Sequence, residues 1–116
     1  MVKRAGYVPD RGDILWIDLN PRSGHEQAGR RPALVLSPVS YNRKTDLAVM
    51  CPITSQVKGY PFEVVLPEGC AVQGAVLSDQ VRCLDWKSRK VVRARSATIT
   101  VVDEVTAKLA SLIGAS

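Results

Sequence analysis

The chain has 116 residues, which suffices for one domain with a hydrophobic core, and we assign residues 1–116 to a single domain. Apolar residues make up 46% and charged residues 23%, a balance that excludes an intrinsically disordered chain. No apolar run approaches the roughly 20 residues that a membrane-spanning helix needs. The basic N-terminus is not followed by the apolar segment of a signal peptide, so we expect a cytoplasmic protein.

The charge of the chain is strongly positive, with a net value of +5 and a pI near 9.4. Much of the excess lies in one segment, residues 82–95, which is rich in Arg and Lys. A surplus of this kind attracts polyanions, of which RNA and DNA are the commonest. An acidic protein partner would use the same field, and a solvated cationic surface without function is the plainer alternative.

Short segments rich in β-branched and other apolar residues follow one another along the chain and predict a β-rich fold. They are Gly12–Leu19, Arg31–Ser37, Leu47–Thr54, Pro61–Leu66, Gly74–Leu84 and Lys90–Arg95. A long polar loop, Asn20–Arg30, separates the first two, and Val39–Thr45 is polar and typical of a turn. We expect Gly74–Leu84 to bend near Asp79.

The C-terminal segment changes to the period of a helix, because apolar residues recur three or four positions apart. This stripe consists of Val102, Val105, Leu109, Leu112 and Ile113. Thr98 or Thr100 can cap its start, and Gly114 lies where helices commonly end. The sequence therefore predicts a compact antiparallel β-barrel with one C-terminal α-helix packed on it.

Cys51, Cys70 and Cys83 are an odd number of cysteines, and Cys51 and Cys83 lie within apolar runs. We interpret all three as packing residues in a reducing compartment. With a single histidine, His25, the chain has no convincing set of metal ligands, so we expect no metal and no other cofactor.

Two polar residues lie where predicted strands meet loops, and both suit a phosphate. Arg31 begins the second strand, and its planar guanidinium matches phosphate oxygens and stays charged. Thr54 ends the third strand, and its hydroxyl can donate a hydrogen bond to a phosphate oxygen. The plainer alternatives are a surface arginine and an ordinary β-branched residue closing a strand.

The polar loop also carries a candidate acid–base pair, His25 and Glu26. Histidine is the side-chain type that changes charge near neutral pH, which suits a proton carrier, whereas for Glu26 the equal alternative is neutralisation of the neighbouring arginines. Further candidates for contacts with bases or phosphates are Gln27, Asn42, Lys58 and Gln80.

Three aromatic residues, Trp16, Tyr60 and Phe62, are of the type that stacks on bases. For Trp16 and Phe62 we expect packing in the core instead.

Several of these motifs, in order and spanning nearly the whole chain, resemble the MazF/PemK family of toxins. They are Gly12-Asp13-Ile14, the stretch Ser23–Pro38, the stretch Thr54–Leu66, and Asp79-Gln80. The resemblance implies an SH3-like barrel with a C-terminal helix, the CcdB/PemK-like toxin fold. It also implies a small ribonuclease from a toxin–antitoxin pair.

The resemblance assigns roles to individual residues. The arginine before the Pro-Ala pair, Arg31, matches the chief catalytic residue of the family, and Thr54 matches the second, with Ser55 as the alternative. Glu26 matches a glutamate that supports activity. His25 varies among such toxins, so it is not essential to the shared chemistry.

One branch of the family uses an arginine two residues before the aspartate that corresponds to Asp79. This chain has Leu77 at that position, which favours the site on Arg31 and Thr54. Asp79 is then expected to orient other groups or to contact a base.

The activity that the resemblance implies is metal-independent, sequence-specific cleavage of single-stranded RNA. Its products would carry 2′,3′-cyclic phosphate and 5′-hydroxyl ends, and cleavage of mRNA would arrest growth. The resemblance further implies a homodimer and an acidic, MazE-like antitoxin. The alternatives are a non-enzymatic toxin that poisons a protein such as gyrase, as CcdB-like proteins of this fold do, and an RNA-binding module without turnover.

Overall fold

The computed structural model describes residues 6–19, 30–70, 72–97 and 99–115, which form seven β-strands and two α-helices. In chain order these elements are β1 (Asp13–Asp18), β2 (Arg30–Val35), α1 (Val39–Thr45), β3 (Leu47–Thr54), β4 (Glu63–Val65), β5 (Ala75–Leu77), β6 (Arg82–Asp85), β7 (Val92–Ser96) and α2 (Ile99–Leu112). The mainly β class and the C-terminal helix predicted from the sequence are confirmed.

All strand pairs are antiparallel, and the strands follow the order β4-β5-β3-β2-β1-β7, with β6 paired to β3 beside this path. The strands at the two ends, β4 and β7, do not pair with each other among the described residues. The sheet is thus open, and the closed barrel expected from the sequence is not formed by these strands.

Strand β3 is long enough to pair with two different strands on one side. Its first half, Leu47–Met50, pairs with β6, whereas Ile53 and Thr54 at its end pair with β5. The single strand predicted over Gly74–Leu84 is therefore two strands, interrupted by the turn at residues 78–81. The interruption places Asp79 and Gln80 on an exposed corner beside the end of β3.

Alternating side chains of β1, β2 and β3 form an apolar cluster on each side of the sheet. One contains the paired residues Ile14, Leu34 and Cys51 and is covered by α2 through Val102 and Val105. The other contains residues of opposite parity, such as Leu15 and Ala33, together with Leu84 and Trp86. Because both faces of β1 and β2 are covered by apolar clusters, these strands are apolar on both sides along most of their length.

The predicted apolar stripe of α2 packs on the sheet over only part of its length. Val102 and Val105 are buried and Leu109 is partly buried, but Leu112 and Ile113 are 46% and 69% exposed. The predicted packing of α2 on the sheet is therefore made by its first three turns, whereas Leu112 at its end and Ile113 after it are exposed.

The segment Val39–Thr45, predicted to be a turn, is the helix α1, and its central Asn42 is fully buried. The Asn42 side-chain amide donates to the carbonyl oxygens of Pro9 at 2.8 Å and Ser37 at 3.0 Å. Its side-chain oxygen accepts from the Ser37 hydroxyl at 2.5 Å, and its backbone carbonyl accepts from the Trp86 indole. The prediction that Asn42 contacts RNA is therefore wrong, since its polar groups hold α1 against the rest of the fold.

The three cysteines differ in their surroundings. Cys51 is buried in the sheet, and burial raises the pKa of its thiol to about 12, so it remains protonated and packs as predicted. Cys70 is partly buried against the cluster under α2. Cys83 is exposed on β6, contrary to the prediction, because Leu84 takes the inward-facing position on that strand.

Candidate functional site

Arg31 lies near the start of β2 and lines an open groove of about 370 Å³. This Arg31 groove is lined by Trp16, Arg30, Arg31, Pro32, Ile53, Ser55, Val72 and Gln73. The Arg31 side chain is exposed, and neither of the two ion pairs found among the described residues involves it. A guanidinium placed in this way is available to a phosphate.

Thr54 is the last residue of β3 and lines a second, smaller hollow of about 120 Å³. This Thr54 hollow is lined by Thr54, Gln56, Lys58, Tyr60, Glu63, Leu77, Asp79 and Gln80. The Thr54 Oγ1 accepts a hydrogen bond from the backbone N–H of Gln56 at 3.0 Å. Because this bond uses only a lone pair, the hydroxyl hydrogen can still be donated to a ligand.

The pairing of β2 with β3 brings Arg31 and Thr54 to the same end of the sheet. The last pair in the register is Ala33 with Pro52, and Arg31 and Thr54 each lie two residues beyond it. Residues at the end of β3 line the two depressions alternately: Ile53 and Ser55 line the groove, whereas Thr54 and Gln56 line the hollow. The two predicted catalytic residues thus lie at the same end of adjacent strands, Arg31 in the groove and Thr54 in the hollow.

Three predicted RNA-binding residues, Lys58, Asp79 and Gln80, line the hollow beside Thr54. Lys58 comes from the segment after β3, whereas Asp79 and Gln80 come from the turn between β5 and β6. A mixed set of a cation, a carboxylate and amides is suited to reading the edges of a base rather than to binding one phosphate.

The other three predicted residues, His25, Glu26 and Gln27, lie outside the described part of the chain. Their proposed roles therefore remain predictions.

Trp16, predicted to pack in the core, is 38% exposed and lines the Arg31 groove. On β1 it is paired with Pro32 on one side and with exposed Val92 on the other, so an apolar row leads up to Arg31. No local pattern distinguishes it from its buried neighbours on β1.

Gly74 is a positioning residue that the sequence prediction missed. It has a φ of 128°, and a Cβ atom there would lie 1.9 Å from the carbonyl oxygen of Thr54. Only glycine lets the backbone before β5 approach the end of β3 this closely. The signal in the sequence is a glycine just before a strand, but its contact with Thr54 depends on the pairing of β3 with β5.

Two hydrogen bonds hold the turn between β6 and β7 against the end of the sheet that carries the groove. Arg30 donates to the carbonyl oxygen of Lys90 at 3.0 Å, and Arg89 donates to that of Asp18 at 2.7 Å. Lys87 on the same turn pairs instead with Asp46, 3.9 Å away beside the start of β3. Of the cationic segment noted in the sequence, Arg89 and the exposed Lys90 are therefore the residues that these bonds bring to the end of the sheet that carries Arg31.

The sequence profile of a family described as the PemK-like, MazF-like toxin of type II toxin–antitoxin systems matches residues 10–113 of the chain. The chain belongs to this toxin family. It is 46% identical over 114 residues to the endoribonuclease toxin MazF of Escherichia coli K12, covering 98% of this chain and 100% of that protein. It is also 36% identical to the endoribonuclease PemK of Escherichia coli, covering 97% of this chain and 87% of that protein.

Solved structures of MazF proteins have the same fold. The crystal structure of MazF from Deinococcus radiodurans superimposes with a TM-score of 0.87 at 53% identity, covering 94% of this chain and 99% of that one. A MazE–MazF crystal structure from the same organism has a TM-score of 0.86 at 49% identity, covering 96% and 100% of the two chains.

These relatives decide between the activities that the sequence left open. The curated MazF, PemK and ChpB relatives are endoribonucleases, and this member of the MazF-like family is an endoribonuclease toxin of a type II toxin–antitoxin system. The alternative of a CcdB-like gyrase poison is not favoured. Within the described ranges, no helix is long and apolar enough to cross a membrane, and no cluster of His, Cys, Asp and Glu is arranged to hold a metal ion.

Proposed function

We propose that this toxin cleaves single-stranded RNA by transesterification at the Arg31–Thr54 site. The 2′-oxygen forms a bond to the adjacent phosphorus while the bond from phosphorus to the 5′-oxygen breaks. One fragment then ends in a 2′,3′-cyclic phosphate, and the other begins with a 5′-hydroxyl. The reaction needs a base for the 2′-proton, a proton for the leaving oxygen, and charge stabilisation for the phosphorane.

The observation that carries this proposal is the placement of Arg31 and Thr54 at the same end of adjacent strands β2 and β3. Arg31 would hold the phosphate oxygens as negative charge develops, and Thr54 would donate its hydroxyl hydrogen to one of them. For the proton transfers we propose Glu26, supported by His25. Gln27 would contribute to binding from the same loop.

A single-stranded substrate follows from the geometry of the reaction. In an A-form duplex the 2′-hydroxyl is not aligned with the leaving 5′-oxygen, and the base edges are engaged in pairing. An unpaired strand can adopt the in-line geometry and present a base to the Thr54 hollow. We propose mRNA in the cytoplasm as the substrate.

The mechanism is tested by incubating the pure toxin with a long RNA in excess EDTA and mapping the new ends. We expect cleavage to persist at a recurrent short sequence, leaving cyclic phosphate and 5′-hydroxyl ends. A requirement for Mg²⁺, or 5′-phosphate products, would contradict the mechanism.

We further propose a homodimer with RNA lying across the subunits, inhibited by an acidic MazE-like antitoxin. The net charge of +5 doubles on pairing and favours either polyanion. Support comes from the MazE–MazF complexes solved for the Deinococcus radiodurans relative. We expect light scattering to give the dimer mass and a cognate antitoxin peptide to compete with RNA. An active monomer would contradict the shared groove, and simultaneous binding of peptide and RNA would contradict direct competition.

A further inference from the structure

The segment between β3 and β4, residues 55–62, carries the side chains that line one wall of the Thr54 hollow. Gln56, Lys58 and Tyr60 all face the hollow, and residues 55–61 are exposed. Tyr60 in particular is 57% exposed. An exposed loop of this kind would lose much of its freedom on binding RNA unless the fold already held it in place.

Glu63 is the first residue of β4, and it lines the hollow while remaining only 9% exposed. Its carboxylate accepts hydrogen bonds from two consecutive backbone N–H groups of the loop. Lys58 N donates to both Glu63 oxygens at 3.1 Å, and Gly59 N donates to Oε1 at 2.8 Å. A buried acid with such partners is a structural anchor, because burial of an unbonded carboxylate is costly.

Four further hydrogen bonds hold the same loop. Gln56 N donates to the Thr54 hydroxyl oxygen at 3.0 Å, and the Lys108 ammonium on α2 donates to the Pro61 carbonyl oxygen at 2.6 Å. The backbone N–H groups of Glu63 and Ser78 donate to the carbonyl oxygens of Tyr60 at 3.0 Å and Phe62 at 3.1 Å. The bonds to the Glu63 carboxylate act in the middle of the loop, at Lys58 and Gly59. They hold the backbone from which the Lys58 side chain projects and, next to it, that of Tyr60, whose carbonyl oxygen is bonded by the Glu63 backbone N–H.

We infer that Glu63 is a positioning residue for substrate binding, which preorganises the loop so that Lys58 and Tyr60 are fixed before RNA arrives. The inference rests on the proposed function of the hollow. Glu63 is not placed in contact with the reacting phosphate, so its loss is expected to weaken binding and to leave the chemical step at Arg31 and Thr54 almost unchanged.

The test compares Glu63→Ala, Glu63→Gln and the control Glu68→Ala, which removes an exposed acid from the segment after β4. Glutamine keeps Oε1, the atom that accepts from both Lys58 and Gly59, whereas alanine removes both acceptors. Each variant is assayed for the KM and kcat of RNA cleavage and for hydrogen exchange of the Lys58 and Gly59 amides. Its affinity for a single-stranded DNA oligonucleotide, which lacks the 2′-hydroxyl and is not cut, is also measured.

For Glu63→Ala we expect faster exchange of both amides, with KM and the Kd for DNA raised roughly tenfold, since Lys58 and Tyr60 must then be ordered on binding. We expect kcat to stay close to the wild-type value. Glu63→Gln should restore most of the affinity and of the amide protection, and Glu68→Ala should behave like the wild type. Thermal unfolding verifies that each variant is folded.

Unchanged KM and Kd in a folded Glu63→Ala protein with rapidly exchanging amides would overturn the inference, as would a loss confined to kcat. If Glu63→Ala does not fold, Glu63→Gln provides the test. A rise of both KM and Kd in Glu63→Gln while the Lys58 and Gly59 amides stay protected would also overturn the inference. Failure of the wild type to cut RNA would contradict the proposed function alone, because amide exchange and DNA affinity still report on Glu63.

Discussion

The Arg31 groove and the Thr54 hollow adjoin each other at one end of the sheet, yet they are built from different parts of the fold. Several residues of the groove, including Trp16, Arg31 and Ile53, come from the adjacent strands β1, β2 and β3. The hollow is lined mainly by the loop 55–62 and the turn 78–81. We therefore propose a division in which the strands hold the reacting phosphate and the loops read the neighbouring bases.

Arg31→Ala tests the groove most directly. We expect cleavage to fall by about 10²–10³-fold, because the variant loses the cation that, in the proposed mechanism, stabilises charge in the transition state. The matched control is Arg43→Ala on the exposed side of α1, which removes the same charge away from both depressions. Rates measured under single-turnover conditions should separate the two, and near wild-type cutting by folded Arg31→Ala would refute the division.

Gly74→Ala tests whether Thr54 must be held in place. Its Cβ would lie 1.9 Å from the Thr54 carbonyl oxygen, so the end of β3 or the start of β5 must shift. A displacement of about 1 Å at a catalytic group can cost about 10²-fold in rate, and we expect a loss of up to that size.

The control for Gly74→Ala is Gly69→Ala. Gly69 also has a positive φ, of 87°, but no other atoms lie near the position of its Cβ. Gly69→Ala should lose about 1–2 kcal/mol of stability from its positive φ. Gly74→Ala should lose more, because its Cβ must also displace the backbone of Thr54. At a temperature where both variants are folded, only Gly74→Ala should cut RNA more slowly, and equal activities of the two variants would rule out the contact as a catalytic requirement.

Trp16→Leu sharpens the comparison by removing an aromatic face while keeping an apolar side chain in the groove. If a base stacks on Trp16, the variant should bind a short RNA more weakly by about 1–3 kcal/mol. Tyr41→Leu on α1 is the control, since Tyr41 is equally exposed at 38% but lines neither depression. Equal affinities of the two variants, measured by fluorescence anisotropy, would assign Trp16 to packing alone.

Lys58→Ala is expected to give the smallest effect, because the residue is an exposed cation in the hollow. If Lys58 contacts a phosphate, the plot of log K against log salt should become shallower by about 0.7 for single-stranded RNA. Lys44→Ala on α1 should leave the slope unchanged. A wild-type slope for Lys58→Ala would mean that Lys58 contacts a base or only the solvent.

Local sequence predicts much of the sheet because its strands carry their own signals. The runs Ile14–Ile17 and Ala33–Leu36 are apolar throughout, and every residue in them except Trp16 is buried. The first run lies in β1, and the second lies in β2 except for Leu36, which follows it. The period of Val102, Val105 and Leu109 likewise predicts α2. Arg31 and Thr54 could be identified as strand-end residues, and the family resemblance gave them their roles.

Features that depend on contacts between distant segments could not be predicted in this way. Helix α1 has a polar sequence of low helix propensity, and it is stabilised by the bonds of Asn42 to Pro9 and Ser37 and by the indole of Trp86. The same polarity that made Asn42 a candidate for RNA binding is satisfied inside the fold.

What the sequence by itself determined is the class of the fold, the C-terminal helix and the residue types available for phosphate chemistry, because each rests on composition or on short-range periodicity. The tertiary structure alone decided that Trp16 is exposed beside Arg31, that Gly74 abuts Thr54 and that Glu63 holds the loop 55–62. Each of these depends on which strands become neighbours and where the sheet ends, and those are properties of long-range pairing that no local pattern encodes.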